Sequence, residues 1–434
     1  MKKNIFLIIF LVTGRMSYAQ TTLTLSRSEA IQLGLKNRFD VQANQYDVAI
    51  ASARVKQASN KWLPDMSGDG QVKYSPQLQN SVIPGGVLPG YNETTLLPLM
   101  VKNESVFGLN LVQPLFDATL NSEIKLARTE LALQEEKNRA AQIDIMLQIS
   151  RAYLDVQLKG LQKRVAADIA ARNHEYEMIA TGMYNNGTLI ENHYLRARLD
   201  RENADQLSKQ ADQNYELSVM HLRYQLNVPD DTPLLLSDSL DAVTIAYDKT
   251  NGERTELRQL KLQQEENRIQ LQKYKQELLP SLSIGANYSQ LFLSDKFNYG
   301  NGRWWSPFSY VALNVHVPIS SHVKNKSVLT TYRQKISQHE LLLRQRNADI
   351  NYEVQQARTS LANAMLNQRN AKDSYELSKT IFHNQQAQYR LGAFDYSALL
   401  DTEKSLSATE RNYIQSAYEL MLAQIQLQKA TNNF

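Results

Sequence analysis

The chain has 434 residues, with 48 Lys and Arg against 44 Asp and Glu, and no cysteine. So near a balance of charge argues against a nucleic-acid partner, whose phosphates select strongly basic surfaces. Without thiols there can be no disulfide, no metal-thiolate centre and no lipidated N-terminal cysteine.

Lys2 and Lys3, the apolar run from Ile5 to Val12, and Ser17-Tyr18-Ala19 ahead of Gln20 form the three-part pattern of a secretory signal peptide, expected to be cut after Ala19. That run falls well short of the roughly 20 apolar residues that a membrane anchor needs. Removing Lys2, Lys3 and Arg15 leaves 45 basic against 44 acidic residues. Beyond the signal, no stretch is long and apolar enough for a spanning helix, so any passage through a membrane must be made by β-strands.

Ser26 followed by Glu29 is a capping box, and it opens a helix expected over Leu25 to Lys61. After Pro64 the period changes to two: Met66, Gly68, Gly70, Val72 and Tyr74 alternate with Ser67, Asp69, Gln71, Lys73 and Ser75. The stretch from Leu78 to Glu104 is rich in Pro and Gly and is expected to be a loop. Alternation then returns as Phe107, Leu109 and Leu111 against Gly108 and Asn110.

Between Pro114 and Pro229 there is no proline, and glycine appears only at 160, 182 and 187, which predicts very long helices. Leu126, Leu133, Ala140, Leu147, Leu154 and Leu161 keep a spacing of seven, the period of supercoiled helices. From Leu120 to Met183 an unbroken helix would run roughly 96 Å. Gly187 then marks a tight turn where the helix reverses.

The same order of landmarks returns roughly 205 to 216 positions later. Leu63-Pro64-Asp65-Met66-Ser67 is matched by Leu279-Pro280-Ser281-Leu282-Ser283, Pro114 by Pro318, Asp144-Ile145 by Asp349-Ile350, and the Tyr184 to Gly187 turn by Tyr389 to Gly392. A helix from about Gly252 to Leu279 is the counterpart of the opening one. Two further alternating segments follow: Leu282, Ile284, Ala286 and Tyr288, then Val311, Leu313, Val315 and Val317. The loop between them, Leu291 to Ser309, holds Trp304 and Trp305, which fit an interfacial aromatic girdle or plain loop packing. Beyond Pro318, Leu343, Ile350, Ala357, Ala364 and Ala371 interleave with Val354, Leu361 and Tyr375, and Leu399, Leu406, Tyr413, Leu420 and Leu427 repeat every seven.

The expected organisation is a signal peptide over 1–19 and two tandem repeats. The first covers 20–230, with strands at about 66–75 and 105–113, and the second 231–434, with strands at about 281–290 and 309–317. Four strands of membrane-crossing length cannot close a barrel, and lipid does not tolerate open sheet edges, so other copies of the chain must complete the sheet. A soluble four-stranded sheet packed on helices would show the same alternation, but the signal peptide and the long coiled helices favour the membrane.

Taken together, the signal sequence, the doubled Leu-Pro-x-x-Ser, the Gln113-Pro114-Leu115-Phe116-Asp117 strand end and the tip motif of tyrosine three residues before glycine resemble the TolC family of outer-membrane factors. The likeness covers essentially the whole mature chain. It implies a mainly α fold with a small transmembrane β-barrel portion, in which a homotrimer builds a 12-stranded barrel in outer-membrane lipid and an α-helical tunnel in the periplasm. It further implies tip turns at Tyr184, Gly187, Tyr389 and Gly392 that meet a periplasmic adaptor, and through it an inner-membrane transporter. Pro64, Pro114, Pro280 and Pro318 would mark the strand and helix junctions. Asp401 and Glu191 are candidate acids for the tunnel entrance, although Asp401 equally suits a solvated helix face or an interhelical ion pair. His193, Phe394 and Ala398 stand where the family often has charge, and the second repeat reads Pro318-Ile319-Ser320-Ser321, without the Phe-Asp of the first.

No enzyme motif accompanies this pattern. The seven histidines are scattered, and neither a His-Glu-x-x-His, a nucleophile elbow nor a phosphate-cradling loop occurs. His316 and His322 flank Pro318 without the further ligands a metal needs. No cofactor is expected, and the role implied is passive conduction in a tripartite efflux or type I secretion system, with the cargo (drugs, metal ions or secreted protein) left open. The rival reading is a coiled-coil scaffold without a pore, in the periplasm or at the surface.

Overall fold

The structure, a computed structural model, describes residues 23–239, 252–390 and 396–433, apart from the side chains of His322, Arg390 and Tyr396. The signal segment, Gly392 and Phe394 lie outside the described residues. The chain divides into two compact units.

One unit takes in Tyr46–Lys137 and Thr255–Arg346. Its centre is a four-stranded antiparallel sheet of β2 (Asp65–Tyr74), β5 (Asn103–Phe116), β7 (Ser281–Ser294) and β8 (Trp305–His316), in the order β2-β5-β7-β8. All four alternating segments are therefore strands, and three of them are longer than the sequence indicates. Pro64 and Pro280 each stand directly before a strand, and Pro318 lies two residues past β8. Pro114 was expected to end its strand but sits inside β5, next to a register shift. β2 pairs no further than Val112, so at Pro114 the strand has a neighbour on the β7 side only, an edge position of the kind where proline is tolerated.

The stretch from Leu78 to Glu104 is not wholly loop, since β3 (Asn80–Ile83) and β4 (Thr95–Pro98) pair within it as a small antiparallel hairpin. Alternation over four residues is too short a signal to separate from a Pro/Gly-rich loop. Below the sheet, the helix ends are tied by side chains. Lys61 and Lys273 both hold Glu123, at 2.7 and 2.8 Å, and Gln113 donates to the Trp62 carbonyl at 2.9 Å.

The other unit takes in the residues up to Gln45, Asn138–Arg254 and Asn347 onward. Its helix α1 (Arg27–Asn37) opens on the expected capping box: the Glu29 N–H donates to the Ser26 hydroxyl at 3.3 Å, and the Glu29 carboxylate accepts from the Ser26 N–H at 2.8 Å. The single helix expected over 25–61 breaks at Arg38, whose backbone is extended, and resumes as α2 (Phe39–Asn60). Asp40 supports the break by accepting the Val41 N–H at 2.9 Å while bonding the Arg38 guanidinium, a local alternative to helical hydrogen bonds. Two short strands without a sequence signal, β1 (Leu23–Leu25) and β6 (Leu234–Leu236), pair in parallel.

The long helices are α3 (Ala118–Asn185), α4 (Glu191–Leu226), α6 (Ser321–Arg390) and α7 (Tyr396–Ala430), with α5 (Thr255–Gln276) ahead of β7. None of the described helices is long and apolar enough to cross a membrane. Leu147, Leu154 and Leu161 of α3 pack on Met421, Ile425 and Tyr418 of α7, as heptad spacing predicts. On α6, Ile350, Val354, Ala357 and Leu361 form a narrow buried stripe, while Leu341, Tyr352, Leu366 and Leu377 on the same helix are exposed.

Candidate functional site

Register puts the two faces of the sheet to different uses. Met66, Leu111, Ala286 and Val311 lie in one row across all four strands, with Leu109 and Tyr288 in the next. These side chains find no cover among the described residues: Met66 is 71 % exposed, Leu109 61 % and Val311 79 %. At the β7–β8 loop end this face carries an aromatic cluster. Phe292, fully buried, has the rings of Tyr299 and Trp305 at 4.5 and 5.3 Å, and Trp305 donates its indole N–H to the Tyr299 carbonyl at 2.8 Å. Trp305 thus belongs to the aromatic cluster, whereas Trp304 lies apart beneath the Arg303 guanidinium.

The opposite face is polar and internally bonded. Asn110 donates to Asp69, Asn287 to Asn110 at 2.6 Å, and Ser289 to Asn287 at 2.9 Å. Gly108 leaves room for this network, because a Cβ at that position would stand 2.4 Å from the Ser289 hydroxyl and turn it away from Asn287. An uncovered apolar face backed by a hydrogen-bonded polar one is the arrangement of a barrel wall between lipid and water. Among the described residues, β2 and β8 each keep one unpaired edge.

At the α3–α4 turn, Gly187 has a φ of 72°, which allows three N–H groups to close the helix end. The Gly187 N–H donates to the Tyr184 carbonyl at 2.9 Å, while those of Thr188 and Leu189 share the Met183 carbonyl at 2.9 and 3.2 Å. Tyr184 stacks on Tyr194, with ring centroids 5.2 Å apart and planes 8° from parallel. Glu191 opens α4, where its charge complements the helix dipole.

Tyr389 behaves differently from Tyr184. It is buried, in a cluster with Tyr176, Ala180, Ala197, Phe382 and Leu399, and its hydroxyl lies 4.0 Å from the Met183 sulfur. His193 and Asp401 come together on the wall of one cavity of about 360 Å³, which Arg196 and Lys404 also line. Glu191 does not line that cavity; it is exposed at the start of α4.

A residue pair with no place in the sequence reading underlies the tip. Arg172 of α3 binds Glu403 of α7, with Nε at 2.8 and 3.0 Å from the two carboxylate oxygens and a terminal nitrogen at 2.7 Å. Glu403 is only 4 % exposed, and the guanidinium also lies over the Phe382 ring. Burial disfavours the Arg172 charge, but the Glu403 carboxylate more than offsets this and leaves the pKa above its ordinary value. Burial, then the Glu403 charge, push the Tyr176 phenol well above the usual range. The signal was present in the spacing: Leu158, Val165 and Arg172 are seven apart, and Glu403 falls between Leu399 and Leu406, so both charges occupy seam positions.

Among the described residues no group of acids and histidines could hold a metal ion. A family profile described as "outer membrane efflux protein" matches residues 30–227. The chain is 22% identical to a probable outer membrane lipoprotein, SilC, of Salmonella typhimurium, covering 92% of this chain and 84% of the relative. It is 23% identical to the cation efflux system protein CusC of Escherichia coli O157:H7, again covering 92% and 84%. The solved Campylobacter jejuni CmeC outer membrane channel has the same fold, with a TM-score of 0.75 at 15% identity, covering 93% of this chain and 85% of that one.

Proposed function

We propose that this chain is a member of the outer membrane efflux protein family, resides in the outer membrane, and is the channel subunit of a tripartite efflux or type I secretion system. The observation that carries this is the sheet: four strands with one uncovered apolar face, one bonded polar face and two free edges. Bare strand edges cannot persist in hydrocarbon, so β2 of one copy joins β8 of the next. Three copies bring twelve strands, which form the barrel, and the paired long helices of the two repeats, 20–230 and 231–434, form the tunnel.

On this reading the α3–α4 turn at Tyr184 and Gly187, with the second turn expected at Gly392 outside the described residues, receives the adaptor that links the channel to an inner-membrane transporter, while the buried Tyr389 supports the tip from within. Asp401, with His193 beside it and Glu191 nearby, lines the entrance. The chain itself makes and breaks no bond: adaptor binding shifts a closed arrangement of the hairpin tips toward an open one. Cargo choice lies with the transporter, and the two relatives compared, one of them named for cation efflux, make metal cations the first class to test.

The test is direct. The exported protein is expected in the outer-membrane fraction as a heat-modifiable trimer, and the purified trimer should conduct ions across a planar bilayer. A monomer in the aqueous fraction would instead support a coiled-coil scaffold, and a trimer in the membrane that passes no current would be a plug and not a channel.

A further inference from the structure

Charge in the unit that holds the sheet is concentrated at one end. The helix ends that meet the strands from below, residues 54–64, 117–130, 271–280 and 319–335, carry eleven Lys and Arg against four Asp and Glu. The loops at the other end, residues 73–104 and 291–306, carry four against three. Since the mature chain is almost neutral, the foot of the sheet is a local basic concentration that the rest of the chain compensates.

Much of this charge is uncommitted. Lys56 on α2, Lys125 and Arg128 on α3, Lys275 on α5, and Lys324 and Lys326 on α6 are all exposed, and none has a carboxylate partner among the described residues. In contrast, the half-buried Lys273 is held by Glu123. The six lie six to twelve residues from the nearest strand end, which at the helical rise is roughly 9–18 Å. A bilayer's headgroup layer extends several ångströms beyond its hydrocarbon, and lysine stems reach further toward it. The nearest of the six therefore stand at headgroup level once the apolar face of the sheet is in lipid.

We infer that the nearest of these side chains, Lys275, Lys324, Lys56 and Lys125, form a collar that binds the phosphate headgroups of anionic phospholipid in the periplasmic leaflet of the outer membrane, with Lys326 and Arg128 adding longer-range attraction behind them. The inference rests on the membrane reading of the sheet. Each cation contributes electrostatic attraction that a zwitterionic headgroup does not provide, so the collar enriches anionic lipid around the base of the barrel and sets the depth of the sheet. Salt weakens the attraction because the groups are exposed.

Trp62 stands between Lys61 and Pro64 at this level and is one of three tryptophans, with Trp304 and Trp305 at the other end of the sheet. The full mature chain carrying Trp304→Phe and Trp305→Phe is reconstituted in vesicles of equal parts phosphatidylglycerol and phosphatidylcholine, with only one of the two lipids brominated. Trp62 fluorescence should be quenched about fivefold more effectively by brominated phosphatidylglycerol than by brominated phosphatidylcholine. The preference should fall toward parity when all six cations are changed to Gln and, with no substitution in the collar, when salt is raised. Equal quenching by the two lipids, or a preference that survives in the six-Gln variant, overturns the collar. If Trp304 and Trp305 of the unaltered protein are quenched while Trp62 shows no preference, only the collar is lost. If no tryptophan is quenched by either lipid, the sheet is not in the bilayer and the channel reading falls with it.

Discussion

Arg172 and Glu403 join α3 to α7 through a forked ion pair, with all three nitrogen–oxygen distances at or below 3.0 Å and the carboxylate almost wholly out of solvent. Because the two helices belong to different hairpins, the pair holds the first hairpin to the second just behind the turn.

Removing one partner strands the other charge. Glu403→Ala should cost about 2–4 kcal/mol, the usual penalty for an orphaned buried charge reduced for the partial exposure of Arg172. The double change Arg172→Met with Glu403→Met should recover most of that loss. Thermal melting of the parent and the two variants checks this, and equal losses in the single and double changes would show that the pair does not act as a unit.

Acid should loosen the base of the sheet. Burial by itself raises the Glu123 carboxyl pKa, but the ammonium groups of Lys273 and Lys61 outweigh it and hold the group below its ordinary value. A depressed carboxyl contributes stability that is present above the unfolded pKa of about 4.3 and is lost as pH falls through the lower folded one. Glu123→Gln should therefore be less stable than the parent at pH 7 and match it more closely at pH 3, as measured by denaturant unfolding at the two values.

The two sheet faces should tolerate charge differently. Leu109→Arg places a guanidinium on the uncovered apolar face and should oppose insertion by about 2–4 kcal/mol if the site lies near the bilayer midplane. Asn110→Arg, one residue along, enters the polar face and should insert nearly normally. Comparing the membrane-inserted fraction of the two after reconstitution would reveal an inverted sheet if the order were reversed.

The turn at Gly187 depends on a backbone that side chains resist. Gly187→Ala should cost about 1–2 kcal/mol, and Gly187→Asn less, because asparagine accepts the left-handed conformation more readily. Faster amide exchange at Thr188 and Leu189, whose N–H groups share the Met183 carbonyl, is the expected local signature.

Periodicity, together with where proline and glycine fall, was enough to identify the long helices, the four main strands and the Gly187 turn. Spacing of two and of seven reflects which side chains share a face, and that depends only on local geometry. Ser26 and Glu29 likewise stated their own cap, since the box closes within four residues. The break at Arg38, the β1–β6 pair and the hairpin at 80–98 left no such trace, being decided by a side-chain bond, by a partner some 200 residues away and by four-residue strands.

What only tertiary structure decided concerns neighbours that are distant in sequence. Tyr184 and Tyr389 occupy equivalent places in the repeated motif, yet one stacks on Tyr194 at the surface and the other is buried beside Met183. His193 and Asp401 share a cavity that Glu191 does not line. The spacing of Arg172 and Glu403 sets each on its own helix's seam, but that they meet each other is decided only when α3 and α7 are set side by side. Pattern records which way a side chain faces from its own helix, and the energy of a buried charge depends on what the opposing helix brings to meet it.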